Sequence, residues 1–361
     1  MTTSTTNSSH SEARKTMKAL VYAGPNSYKV EDRPVPDLKS PTDAIVKMLY
    51  STICGTDLHI LKGDVPTVQH GRILGHEGVG SVASLGTAVN GLSVGDTVLI
   101  SCISSCGVCP ACRRNLNSHC ETGGWILGNW IDGTQAEYVR IPHAASSLYK
   151  LSGKSDPMAC VALSDALPTG MECGTLNAMV QPASRVVIVG AGPVGLSVLM
   201  TAKLYTPALI VAVDTNDTRL EHAKRLGADQ TVNPSSPEAM GMLDSLTEGK
   251  GFDSVIEAVG IPATFELCQK LVAPGGSIAN VGVHGQKVSL ELDKLWDRNI
   301  AIRTRLVDTV SVPALLRLCQ SEKLDPSVLF THYYSFADIS EAYRNFQSPS
   351  QQGTLKVGIE F

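Results

Sequence analysis

One stretch constrains this chain more than any other: residues 185–196, Arg-Val-Val-Ile-Val-Gly-Ala-Gly-Pro-Val-Gly-Leu, an apolar run broken by Gly190, Gly192 and Gly195. It reads as a buried strand turning into a helix. Gly190 would allow the tight turn, and Gly192, followed by Pro193 and Val194, would let backbone N–H groups approach a pyrophosphate. Gly195 would let the helix pack closely on its strand. A glycine-broken apolar run is often only a strand-to-helix turn, so the rest of the chain must decide.

Downstream the pattern alternates strand and helix: strands at 209–213, 254–258 and 276–281, helices at 218–226 and 262–271. Such alternation predicts a parallel, doubly wound sheet and an α/β fold. The second strand ends at Asp214, 19 positions after Gly195. An acid there would hydrogen-bond an adenosine ribose 2′-OH and repel a 2′-phosphate, which favours NAD over NADP. Alone, an Asp at a strand end is more often a turn former.

Upstream, from Lys18, short β-type segments at 18–22, 44–49, 78–89 and 97–100 alternate with Gly, Pro and Asp turns, predicting a small rolled β domain. Within it lie Cys54-Gly-Thr-Asp-Leu-His59 and Gly75-His76-Glu77-Gly78. A thiolate with an imidazole suits Zn²⁺, and a catalytic zinc site takes three protein ligands and leaves one position open. The alternative is a small buried Cys54 and a satisfied core His76. Then come Cys106, Cys109, Cys112 and Cys120 on a Gly- and Pro-containing loop. Four thiolates close a tetrahedral shell with no place for substrate, which makes a structural site. His119 is a possible substitute for one thiolate. Cys102, Cys160, Cys173, Cys268 and Cys319 read as packing.

Composition bounds the rest. With 361 residues, 43% hydrophobic and 18% charged, the chain can supply two domain cores. A net charge of −4 without a Lys/Arg run argues against nucleic acid. No apolar segment reaches the ~20 residues of a membrane span, and no secretory h-region precedes the fold. A cytoplasmic protein is expected, with its ten cysteines serving as metal ligands or packing rather than disulfides. The Ser/Thr-rich residues 1–16 read as a disordered tail.

Taken in order, the motifs at 54–59, 75–78, 106–120 and 190–195 resemble the zinc-containing medium-chain alcohol dehydrogenases over nearly the whole chain after the tail. The resemblance implies a GroES-like β-rich catalytic domain at 17–168, carrying the zinc lobe at 106–120. A Rossmann coenzyme domain would follow at 169–308, with a return to the catalytic domain at 309–361. It implies catalytic zinc on Cys54 and His76, with Glu77 a neighbour able to enter the shell transiently. The third ligand matches Asp165, four residues before Thr169-Gly170, as in the microbial branch of the family. Like the cysteine found there in the dimeric branch, an Asp brings one negative charge. Cys160 and Cys173 are the competing residues, and neither has that offset.

Thr56 resembles the hydroxyl that takes the alcohol proton, and His59 the residue that passes it outward. A turn hydroxyl and a surface histidine are the plain alternatives. Thr169, Val259, Val281 and Val283 resemble cofactor-flanking positions, and Arg219 one that holds the adenosine ribose while softening discrimination against a 2′-phosphate. Lys356 is read either as reaching the pyrophosphate or as a solvated lysine. Trp125, Trp130 and Trp296 are candidates for pocket walls, core or interface. The expected chemistry is reversible hydride transfer between a primary or secondary alcohol and NAD⁺, giving an aldehyde or ketone, with two zinc ions per chain. A polyol dehydrogenase, a biosynthetic carbonyl reductase and a zinc-free relative are the alternatives, and a homo-oligomer, tetramer or dimer, is the family expectation.

Overall fold

A computed structural model describes residues 15–153, 155–348 and 353–361. Strand β1 (Thr16–Tyr22) pairs antiparallel with β2 (Tyr28–Pro34), and Thr16 already stands opposite Pro34. The expected tail therefore gives up its last residue to a strand, while its residues 1–14 lie outside the described residues. Strands β3 (Ala44–Thr52), β4 (Gly78–Leu85), β5 (Thr97–Ile100), β6 (Tyr138–Ile141) and β7 (Leu148–Lys150) build most of a seven-stranded sheet. The predicted strand at 78–89 ends at Leu85, because the chain then turns and Gly86 donates its N–H to the Asp43 carbonyl.

A second, wholly parallel sheet follows. It contains β8 (Arg185–Val189), β9 (Leu209–Val213), β10 (Gln230–Val232), β11 (Phe252–Glu257), β12 (Val272–Asn280) and β13 (Ala301–Thr304). Its order is β10-β9-β8-β11-β12-β13, the 3-2-1-4-5-6 order of a doubly wound dinucleotide fold. The Val/Ile run of β8 is buried from Val186 onward, as expected for a central parallel strand covered on both faces. At its end Gly190 has φ +106°, and a Cβ on Gly195 would stand 1.8 Å from the Gly190 carbonyl oxygen. The expected tight turn and close approach are both present. The helix Pro193–Lys203 then starts with Pro in its first turn, where a missing N–H costs nothing.

The chain closes by returning. Strands β14 (Phe330–Ser335) and β15 (Lys356–Glu360) join the seven-stranded sheet, β15 antiparallel to β3. One apolar cluster runs through both sheets, from Val79 and Leu99 to Val186, Ile188 and Leu196. Each such side chain contributes about 1.5–3 kcal/mol by its burial. A shared core thus fixes the cleft between the sheets.

Candidate active site

Cys54 caps the N-terminus of the helix Gly55–Lys62, just beyond β3, and its N–H is accepted by the buried Asp57 carboxylate at 2.9 Å. His76 and Glu77 immediately precede β4. Asp165 caps the short helix Ala166–Thr169. These three separate segments bring Cys54, His76, Glu77 and Asp165 to one point, with a donor atom from each within 4.8 Å of the others.

The spacing tests the metal. A Zn–S bond of about 2.3 Å with Zn–N and Zn–O bonds of about 2.0–2.1 Å, at tetrahedral angles, requires donors separated by about 3.6 Å (S to O) and about 3.4 Å (N to O). The observed distances are 3.7 Å from Cys54 Sγ to Asp165 Oδ2 and 3.4 Å from His76 Nε2 to the same oxygen. Electrostatics agree with the distances. Burial pushes the Asp165 carboxyl up, but the hydrogen bond and charge of His76 outweigh it and hold the group at about 2. His76 is raised in spite of burial, because Asp165 and Cys54 both face it. A metal held here would displace that shared proton, since its ligands bind as thiolate, neutral imidazole and carboxylate.

Glu77, although its carboxylate lies within 4.8 Å of the other donors, is engaged by a lysine. Lys356 Nζ lies 3.0 and 2.9 Å from its two carboxylate oxygens, and Lys356 is 2% exposed. The solvated-lysine reading is overturned: β15 carries Lys356 into the interior, where only a carboxylate offsets the loss of hydration. Glu77 in turn is paired with a cation, so entering the metal shell would first require breaking a buried ion pair.

Two cavities meet at Asp165. The smaller, about 130 Å³, is lined by Thr56, His59, His76, Cys102, Trp125, Val283, Leu306 and Val307 as well as Asp165. His59 Nδ1 is 2.9 Å from Asp64 Oδ2 at the solvent side, the imidazole being one-third exposed. Trp125 stands edge-on to His76 at 6.2 Å between ring centroids, while Trp130 and Trp296 are exposed on the surface. Cys102, read from sequence as packing, is packed against Ile103, Cys173 and Val307, and in addition reaches Asp165 Oδ1 at 3.6 Å and forms part of the cavity wall. Its place just past the end of β5, a strand leading to the lobe, was the available signal.

The larger cavity, about 350 Å³, runs from Cys54 and Asp165 past Gly190, Gly192, Pro193 and Val194 to Asp214, Arg219 and Val259. It opens at the carboxyl ends of the paired strands β8 and β11, between which the strand order reverses, the switch point at which such sheets take dinucleotides. Asp214 accepts the Ala191 N–H at 2.7 Å and the Asn216 N–H at 2.8 Å, which leaves lone pairs free on both oxygens. Arg219 Nε is buried without a hydrogen-bond partner among the described residues, and a Cβ on Gly192 would meet only Arg219 Nη1, at 3.8 Å. An open glycine face beside a guanidinium with an unpartnered Nε suits a phosphorylated ligand. Val281 is half-buried against Val307 and Cys102, and Val283 is exposed at the small cavity. Thr169, expected beside a cofactor, gives its hydroxyl to Asp165 Oδ1 at 2.8 Å, one helical turn back, and is not among the residues lining the large cavity.

The lobe stands apart. Cys106, Cys109, Cys112 and Cys120 converge, with Cys106 and Cys112 sulfurs 4.0 Å apart, and His119 is not part of the cluster. Backbone N–H groups of Cys106 and Cys109 point at the sulfurs of Cys120 and Cys106, each at 3.3 Å. These are four soft donors with no cavity beside them among those described, a closed structural zinc set.

Known proteins are similar to this chain in sequence and fold. Residues 40–152 match the family described as alcohol dehydrogenase GroES-like domain, and residues 193–321 the family described as zinc-binding dehydrogenase. An alcohol dehydrogenase of Cupriavidus necator is 34% identical over 95% of this chain and 98% of its own. The solved apo form of zinc-dependent alcohol dehydrogenase 2 from Streptococcus pneumonia has a TM-score of 0.92 at 48% identity, covering 95% of this chain and 98% of that one. An alcohol dehydrogenase of E. coli CFT073 (rspB), solved with NADH, has a TM-score of 0.87 at 26% identity, covering 96% and 99%. With both halves matched and the zinc-spaced donors in the cleft between them, the chain belongs to the zinc-containing medium-chain alcohol dehydrogenases.

Proposed function

We propose that this protein oxidises small, largely apolar alcohols with NAD⁺, reversibly, at a zinc held by Cys54, His76 and Asp165. The observation that carries the reading is Asp165, which borders both the alcohol-sized cavity and the dinucleotide cleft. When bound, the metal supplies Lewis acidity to an alcohol oxygen and the nicotinamide supplies the hydride acceptor. The protein's own residues do the rest. The Thr56 hydroxyl takes the alcohol proton, and His59, steadied by Asp64, passes it to water. Val65, Ile103, Trp125, Leu306 and Val307 keep water from the reacting carbon and give a polyol little to hydrogen-bond. Thr169 orients the Asp165 carboxylate. Asp214 and Arg219 hold the adenosine ribose, Gly190 to Gly195 the pyrophosphate, and Val259, Val281 and Val283 flank the nicotinamide end.

We further propose the division into a catalytic domain (17–168 with 309–361) and a coenzyme domain (169–308), which the two sheets support. A homo-oligomer is supported by the free edge at β13, beside which Trp296, Leu292 and Ile302 are exposed. A cytoplasmic location is supported by ten unpaired cysteines. The test is a panel of short primary, secondary and polyhydric alcohols with NAD⁺ and NADP⁺, followed by reduced-nicotinamide absorbance before and after chelation. NAD-linked, chelator-sensitive oxidation of short alcohols is expected. A preference for polyols, or activity insensitive both to chelation and to Asp165→Ala, would overturn the reading.

A further inference from the structure

The segment 305–311 leaves β13 and leads to the helix Val312–Gln320. On the way Leu306 and Val307 form one wall of the small cavity, Val307 packing against Cys102, Ile103 and Cys173. The next residue, Asp308, is 1% exposed and fully engaged. Its Oδ1 accepts the Ser118 N–H at 2.9 Å and the Ser118 hydroxyl at 2.6 Å. Its Oδ2 accepts Arg305 Nη2 at 2.7 Å, and its carbonyl accepts Asn117 Nδ2 at 3.1 Å. Its N–H donates to Glu172 Oε2 at 2.9 Å. Asn117 and Ser118 lie inside the zinc lobe, between Cys112 and Cys120.

A lobe whose only task was to stiffen its own loop would need no such attachment. A buried carboxylate is tolerated only where its charge and lone pairs are met, and here the lobe meets half of them. The attachment point is the residue directly after the cavity wall. Glu172 holds the segment from the other side, its Oε1 accepting both the N–H and the hydroxyl of Ser311 at 2.8 and 2.6 Å.

We propose that the four-cysteine lobe buttresses the alcohol cavity: Asp308, clasped by Asn117 and Ser118, is a positioning residue that fixes Leu306 and Val307 and thereby the size of alcohol accepted. The inference rests on the small cavity being the alcohol site. Its test uses the zinc-loaded full chain with Asp308→Ala, Asp308→Asn and Ser118→Ala. Amide hydrogen exchange over residues 305–311 should quicken roughly tenfold in Asp308→Ala and less in Ser118→Ala, since the clasp sets local opening. The KM for short alcohols should rise about tenfold with kcat within about twofold and coenzyme KM unchanged, and discrimination between linear and branched alcohols should narrow. Asp308→Asn, which keeps the acceptor for Ser118, should restore most of the loss.

Unchanged exchange at 305–311 would overturn the proposal. So would a kcat loss equal for all alcohols without a KM change, the pattern of a merely structural residue. If Asp308→Ala does not fold, Ser118→Ala carries both measurements. Should the unmodified enzyme oxidise no alcohol, the functional reading falls, and the exchange measurement alone decides the clasp.

Discussion

The two sulfur-containing clusters solve opposite problems with overlapping chemistry. The lobe gathers Cys106, Cys109, Cys112 and Cys120 from 15 consecutive positions, so one loop supplies the whole shell. Backbone N–H donors from Cys112 and Glu121 hold the Cys109 thiol down at about 6, while burial pushes Cys112 up to about 12. The active-site cluster draws on positions 54, 76 and 165 and exists only when the seven-stranded sheet and the turn after residue 164 are in place. Burial raises Cys54, and the cluster's ready anion is Asp165, at about 2. Local assembly suits a site that stabilises. Assembly across segments suits one that must face two cavities at once.

That contrast is broken most directly at Cys54. Replacing Cys54 by Ala should reduce kcat/KM at least about 10³-fold, because the Lewis acid is lost or misplaced. Metal analysis should fall from two zinc per chain to one, with little change in the thermal midpoint. Next in size, Cys109→Ser should release the lobe zinc and cost several kcal/mol, as expected where metal binding is folding energy. Calorimetry should show a lowered midpoint, while the folded fraction keeps its kcat. The reverse outcome, an inactive but fully stable Cys109→Ser, would erase the distinction between the clusters.

How much of this was legible in the sequence follows from the same contrast. The convergence of the lobe cysteines, the glycine turn and the position of Asp214 just past β9 were readable because their determinants are contiguous or lie at fixed offsets along one strand–helix unit. The helices at 217–225 and 262–271 match the predicted 218–226 and 262–271 to within a residue, since their periodicity is local. Strands β10, β13 and β14 carry little sequence signal: β10 and β13 have only three and four residues, and β13 and β14, at sheet edges, show half-exposed faces instead of an apolar run. The Lys356 partner and the second contact of Cys102, beyond its packing, were hidden for a different reason. A lysine in a strand and an isolated cysteine carry no sign of their partners, and Glu77 lies 279 positions from Lys356. Pairings of that range are written in the fold alone.

Lys356 also sharpens the contrast, since it engages the cluster's fourth donor, Glu77. Lys356→Met leaves Glu77 buried without a counter-charge and should cost about 3–5 kcal/mol. The double variant Lys356→Met/Glu77→Gln should recover most of that stability in urea unfolding. If the single variant is as stable as the unmodified protein, the pair is not the buried ion pair its 2.9–3.0 Å contacts describe.

The smallest effect is expected at the far end of the large cavity, where the active-site cluster's reach into the second sheet is tested. Asp214 serves two partners: its Oδ2 fixes the Ala191 N–H in the glycine turn, and its charge faces Arg219 Nη1 at 3.8 Å. The two roles separate by substitution. Asp214→Asn keeps an acceptor for Ala191 and removes the charge, so KM for NAD⁺ should change little while NADP⁺ gains roughly tenfold, about 1.4 kcal/mol. Asp214→Ala also frees the turn, and should weaken both coenzymes together on top of that shift. Steady-state kinetics with each coenzyme distinguish the cases. An unchanged NAD/NADP ratio in Asp214→Asn would leave Asp214 as a cap on the turn, with the choice of coenzyme made by Arg219.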